Sequence, residues 1–107
     1  MAKPYPPVHP GTILMRDLMT PHDVSQNALA SALGVPTPRI NAIVHGRRAI
    51  TADTALRLAR FFGTTPEFWT NLQIGYDLKV AKRALAGQLD RIPSLPRPDL
   101  VDDEYDG

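Results

Sequence analysis

Three histidines and eleven acidic residues are the side chains of this 107-residue chain that could serve as bases, acids or metal ligands. His9, His22 and His45 stand in separate segments without ligand spacing, and no two carboxylates form a distinctive pair. A metal centre needs converging ligands, and acyl or phosphoryl chemistry needs a nucleophile beside a base. Neither pattern is present. The absence of cysteine excludes a thiol nucleophile, a cysteine-bound zinc and a disulfide scaffold. The sequence therefore predicts no catalytic residue, no metal site and no cofactor. Side chains able to grip an anion or read a base edge gather instead between Ser25 and Arg48, where Gln26, Arg39, Asn41, His45, Arg47 and Arg48 occur within one short stretch.

That stretch reads as two short helices joined by a tight turn. Ser25 can cap the first, which runs to Leu33 with Leu29 and Leu33 four apart on one face. Gly34 follows where a left-handed residue is wanted. Thr37 reads as the cap of the second helix, with Pro38 at its first position; Ile40, Ile43 and Val44 form an inward stripe before Gly46 closes it. So short a connection makes the helices cross steeply, and it needs a small residue at the crossing, which Ala30 supplies.

With the stripe turned inward, Thr37, Pro38, Arg39, Asn41, Ala42 and His45 are left outward or sideways. A recognition helix meets the DNA major groove with its N-terminal residues, and arginine suits a bidentate contact with guanine. Arg39 is the first candidate for base readout. Asn41 has the amide geometry for adenine, and Thr37 and Ala42 could meet a thymine methyl or a phosphate. Ser25 and Gln26 place the start of the preceding helix at the DNA backbone, and Arg47 and Arg48 would meet phosphates. Each of these residues could equally be an ordinary solvated side chain, and a paired-helix pattern also occurs in bundles that touch no nucleic acid.

The charge distribution bears on the choice. All twelve lysines and arginines precede residue 99, where only six acids lie; Asp99, Asp102, Asp103, Glu104 and Asp106 follow with no base. A net of +1 thus hides a basic body and an acidic end. A basic body favours a polyanionic partner, although such a balance is also common on solvated surfaces. No apolar run approaches the roughly 20 residues of a membrane span, and no signal peptide is evident. A cytoplasmic chain with no membrane partner is the expectation.

The remaining elements must position the helix pair, and the length suits one domain. Pro4, Pro6 and Pro7 predict an extended arm over residues 1–9. His9 can cap a first helix from Pro10 to Met19, with Ile13, Leu14 and Leu18 facing the core. Thr51 caps a fourth helix, in which Ala55, Leu56, Leu58, Ala59 and Phe62 are expected to pack and which Gly63 ends. Thr65, Pro66 and Glu67 open a fifth, running to about Leu89. Phe61, Phe62, Phe68 and Trp69 read as the large core pieces. The apolar residues of the fifth helix wrap more than one face, which suggests a second buried surface, with Leu72, Tyr76 and Val80 as candidates for a homodimer interface; a helix packed wholly within its own monomer is the alternative. The domain is expected over residues 10–90, followed over 91–107 by a flexible, proline-rich acidic tail. That tail could dock on a basic partner surface or touch nothing.

The small residue, turn glycine and apolar residue of the paired helices resemble the helix-turn-helix of the lambda-repressor-like, or XRE, family. The chain is more specifically similar to the HigA family of type II antitoxins through HPG at 9–11, SQNALA at 25–30, RINAIVHGRRAITADTALRLARFFGT at 39–64 and TPEFWTNLQIGYDLKVAK at 65–82. The likeness spans about residues 8–85. It implies an all-α, five-helix lambda-repressor-like domain. It also implies a homodimer that binds an inverted-repeat operator, represses its own operon and neutralises a HigB toxin, a RelE-like mRNA endonuclease. A standalone XRE regulator without a toxin would share the DNA-binding half. A pure protein-binding inhibitor with a lapsed DNA face fits less well with Arg39, Arg47 and Arg48 in place.

Overall fold

The computed structural model describes residues 5–96; residues 1–4 and 97–107, and with them the acidic end of the tail, lie outside the described residues. Five helices follow the order expected, and no strand occurs among the described residues. They are α1 (Pro10–Ile13, continued by a π-helical stretch Leu14–Met19), α2 (Gln26–Leu33), α3 (Thr37–Val44), α4 (Ala52–Phe62) and α5 (Pro66–Ala84). A single 3-10 turn, Leu89–Arg91, comes after them.

Local chemistry places most of the helix ends. The side chains of Ser25, Thr51 and Thr65 accept from the backbone N–H three residues on, which satisfies donors that a helix start leaves unpaired. Gly34 ends α2 in the left-handed region at φ 72°, and Val35 N–H returns to the Ala30 carbonyl. His9 caps α1 as expected, its Nδ1 accepting from Gly11 N–H at 2.9 Å.

Three expectations are corrected. Thr37 is not the cap of α3: Pro36 stands there in extended conformation without a side-chain bond, and Thr37 is already helical. Helix α1 does not stay in α register after Ile13. The buried residues of the π stretch are Leu14 and Met19, five apart, and Leu18 is only half-buried; the wider π turn is what brings a five-residue spacing onto one face. Helix α5 stops at Ala84 rather than near Leu89, because Leu85 leaves helical geometry and Gly87 takes φ 84°.

The core is built from Leu14, Met19, Leu29, Ile40, Ile43, Leu58 and Trp69, all fully buried, with Ala30, Leu33, Ile50, Ala55 and Ala59 between them. Burying each larger side chain is worth about 1.5 to 3 kcal/mol. Trp69 also donates from Nε1 to Thr64 Oγ1 at 2.8 Å, so its one polar atom is satisfied. Of the other large residues expected inside, Phe62 is half-buried, whereas Phe61 and Phe68 lie at the rim, edge-on to Phe62 and Trp69. Leu56 is 60% exposed, at the flank of the buried stripe that Ala55, Leu58 and Ala59 form on α4.

Two contacts set where α3 lies. The backbone of Gly11 rests against the carbonyl of Ile43, so close that a Cβ on residue 11 would overlap it. Gln73, buried on α5, accepts from Ile50 N–H at 2.8 Å and donates to Asp77 at 2.9 Å, which pins the segment between α3 and α4. Gly11→Ala is expected to lower stability by about 3 kcal/mol, read by chemical denaturation, because backbone must move to admit the methyl.

His9 joins α1 to the rest. Its ring lies edge-on to Tyr76 of α5 at 4.9 Å, and its far side bonds the backbone of Arg48. Burial pushes its pKa below the ordinary value, outweighing Asp77 and the Arg48 bond, which favour the charged form. The folded chain therefore binds fewer protons here than the unfolded chain as pH falls below about 6.5. Stability from this site is complete above that pH and is lost as pH drops through the lower folded value. Denaturation of the wild-type chain is expected to show this loss as pH falls below about 6.5, and His9→Asn, which keeps a cap acceptor without the titration, is expected to flatten it.

Candidate nucleic-acid interface

Helices α2 and α3 form the paired unit, with Gly34, Val35 and Pro36 as the turn. Ile40 and Ile43 turn inward and are fully buried; Val44 is half-buried against the core. The opposite side of α3 carries Pro38, exposed, with Thr37, Arg39, Asn41 and Ala42 half-buried and His45 exposed just beyond it. Arg47 and Arg48 follow, both exposed. Ser25 and Gln26 lie at the start of α2, Ser25 with its hydroxyl committed to Ala28 N–H.

Several of these residues are bonded to one another. Asn41 Nδ2 donates to Gln26 Oε1 at 3.1 Å, and Asn41 Oδ1 accepts from Arg47 Nη2 at 3.1 Å. His45 Nδ1 donates to the Asn41 carbonyl at 2.8 Å. Gln26, Asn41, His45 and Arg47 thus form one connected patch across the mouth of the helix pair. Each end of the Asn41 amide already makes one bond, which leaves one N–H and one oxygen lone pair for a base edge and fixes the orientation in which Asn41 could offer them.

A second cluster surrounds Arg39. Its Nη1 lies 3.6 Å from Asp53 Oδ1 of α4, and the same oxygen accepts from Arg57 Nε at 2.7 Å. Arg57 Nη1 donates in turn to the Leu33 carbonyl at 2.7 Å, so one guanidinium satisfies a carbonyl left open where α2 ends. The Arg57 guanidinium, reinforced by Arg39, holds the Asp53 carboxyl below the usual carboxylate range despite some desolvation. Arg39 Nε is buried without an acceptor.

A helix-turn-helix family model, HTH_3, matches residues 15–69. Virulence-associated protein I of Dichelobacter nodosus is 51% identical over 78 residues, which are 73% of this chain and 72% of that protein. An addiction-module antidote protein of the HigA family from Coxiella burnetii superposes with a TM-score of 0.80 at 49% identity, covering 86% of this chain and 100% of that one. The chain belongs to the HigA family of helix-turn-helix antitoxins. The HigA antitoxin of Pseudomonas aeruginosa, solved with the higBA promoter, is also similar, with a TM-score of 0.77 and 42% identity over 88% of this chain and 99% of that one.

In this HigA-family chain the two clusters bring together Gln26, Arg39, Asn41, His45 and Arg47 of the sequence-marked polar residues, and leave Ser25, Thr37 and Arg48 outside them. They also add Asp53 and Arg57 of α4, neither of which is among the candidate residues marked in the sequence. Their spacing of four, acid before base on α4, is the signal that could have singled out the pair. On α5, Leu72 packs against the core and Tyr76 against His9, so only Val80 of the three expected dimer residues is exposed. Ile74 and Leu78, four apart and more than half exposed, form a separate apolar stripe on α5, on another face from Val80.

Asn41→Ala frees both Gln26 and Arg47. The Gln26–Asn41 pair is expected to show a coupling of about 0.5 to 1.5 kcal/mol in a double-mutant cycle of unfolding free energies, and zero coupling would mean the bond contributes nothing in solution.

Proposed function

We propose that this chain is a DNA-binding antitoxin that represses its own operon, with α3 reading base edges in the major groove. The observation that carries this reading is the polar face of α3 and its flanks, backed by an apolar stripe held against the core, with Arg39, Arg47 and Arg48 around it. The Pseudomonas aeruginosa relative solved with its promoter supports the same role for this helix pair. Arg39 and the start of α3 supply base readout, with Thr37, Pro38 and Ala42 beside it. Ser25, Gln26, Arg47 and Arg48 meet the backbone, and Asn41 and His45 hold their neighbours in place.

The reading extends to a homodimer on an inverted repeat, with half-sites about 34 Å apart, one turn of the duplex. The exposed Ile74 and Leu78, one turn apart on α5, supply apolar surface for that contact, and Val80 offers a smaller one on another face. A HigB-like toxin of the RelE type is the protein partner that the family implies; a standalone regulator lacks it. A RelE-like open reading frame beside the gene, with toxicity that co-expression of this chain relieves, is expected for an antitoxin, and its absence marks a standalone regulator.

Titration against the promoter of its own gene at several salt concentrations tests the DNA-binding reading. Operator binding is expected to weaken steeply with salt, because each phosphate neutralised releases counterion. Arg39→Ala is expected to cost about 1 to 3 kcal/mol of operator affinity and to relax preference at one base pair. Unchanged operator binding by that variant removes Arg39 from base readout.

A further inference from the structure

Arginine at the head of a recognition helix is ambiguous by chemistry. Its guanidinium pairs with a phosphate as readily as with the O6 and N7 edge of guanine, and only the second contact carries sequence information. What surrounds Arg39 bears on which contact it makes. Nε is buried, Nη1 faces Asp53 Oδ1 at 3.6 Å, and the side chain as a whole is 26% exposed. Asp53 is 60% exposed, so the negative charge beside Arg39 is open to solvent and would be felt by an approaching phosphate. The carboxylate is itself fixed by Arg57, whose second anchor is the Leu33 carbonyl at the end of α2. A chain of contacts therefore runs from α2 through α4 to the third residue of α3.

We propose that Asp53 is a specificity-determining positioning residue, which holds Arg39 in one pose and denies it to phosphate, so that its free Nη edge is available to a base. This rests on the reading of α3 as the base-reading helix. The carboxylate repels the polyanionic backbone but meets no such penalty from the neutral edge of guanine. It weakens binding to any sequence and weakens it least where guanine meets Arg39. The acid is part of the readout although it touches no base.

Dissociation constants for a duplex spanning the chain's own promoter and for a shuffled duplex of equal composition, each at two salt concentrations, test the proposal. The proteins are the wild type, Asp53→Asn, Asp53→Ser, Asp53→Glu, Arg39→Ala and the Arg39→Ala/Asp53→Asn double variant, each checked for an intact thermal transition. Both Asp53→Asn and Asp53→Ser are expected to bind the shuffled duplex more tightly. The preference for the promoter should fall about tenfold, within the range that one bidentate base contact supplies. The salt dependence on the shuffled duplex should steepen by about one counterion, as Arg39 turns to a phosphate. Asp53→Glu, which keeps the charge, is expected to restore most of the preference, and in the Arg39→Ala background Asp53→Asn should leave it unchanged. A preference unaltered in folded Asp53→Asn and Asp53→Ser overturns this proposal alone. So does an equal loss of preference with and without Arg39. A wild-type chain that binds both duplexes equally overturns the proposed function together with it.

Discussion

The arrangement depends on one contact that no side chain mediates, the backbone of Gly11 against the carbonyl of Ile43. Side chains that interdigitate can repack by a few tenths of an ångström, but backbone meeting backbone leaves no such latitude. The start of α1 therefore acts as a stop for the C-terminal end of α3. His9 closes the same corner, with one ring nitrogen on Gly11 N–H and its edge against Tyr76. The arm, α1, the end of α3 and α5 meet at this one place, and the orientation of α3 is settled there before any of its own polar residues is considered.

The other end of α3 is held by a different kind of force. Arg57 and Asp53 are exposed charges and Arg39 a partly exposed one, and surface pairs of that sort are individually worth about 0 to 1 kcal/mol. They contribute direction more than stability, since the guanidinium of Arg57 reaches a fixed carbonyl and the carboxylate between the two arginines has little freedom left. Gln73 is the contrasting case. It is buried, and it satisfies the Ile50 amide at the head of the segment leading into α4. Removing it would leave a buried donor unpaired, at a cost of about 1 to 3 kcal/mol. The molecule thus uses a buried polar bond for rigidity and exposed ones for aim.

What could be read from the sequence was what short-range chemistry decides. Ser25, Thr51 and Thr65 announce helix starts because a hydroxyl reaches an amide three residues away, and Gly34 announces an end because few other residues accept its φ. Ile40 and Ile43 were legible as core by period alone. Thr37 misled because it carries the chemistry of a cap, while Pro36 before it already has the required extended backbone, so the helix begins one residue earlier. The π register of α1 was hidden because Leu14 and Leu18 satisfy an α pattern locally, and only packing shows that Met19 takes the buried place. Leu56 and Phe68 were misplaced for a related reason: hydrophobic type does not reveal which side of a helix meets its neighbours. The engagement of Asn41 by Gln26, fifteen residues away, and of Arg39 by Asp53 are tertiary facts with no local signature.

The bonded patch of Gln26, Asn41, His45 and Arg47 has a kinetic meaning beyond its geometry. Long polar side chains on a free surface sample many rotamers, and a ligand that needs them still must arrest that motion, at about 0.5 to 1.5 kcal/mol each. Here the arrest is completed when the chain folds, through bonds of 3.1 Å from the Asn41 side chain to Gln26 and Arg47 and one of 2.8 Å from His45 to the Asn41 carbonyl. A partner meeting this face encounters a surface whose ordering entropy is already spent, so the lifetime of the complex is set by how well shapes and charges match and less by how often the side chains wander off.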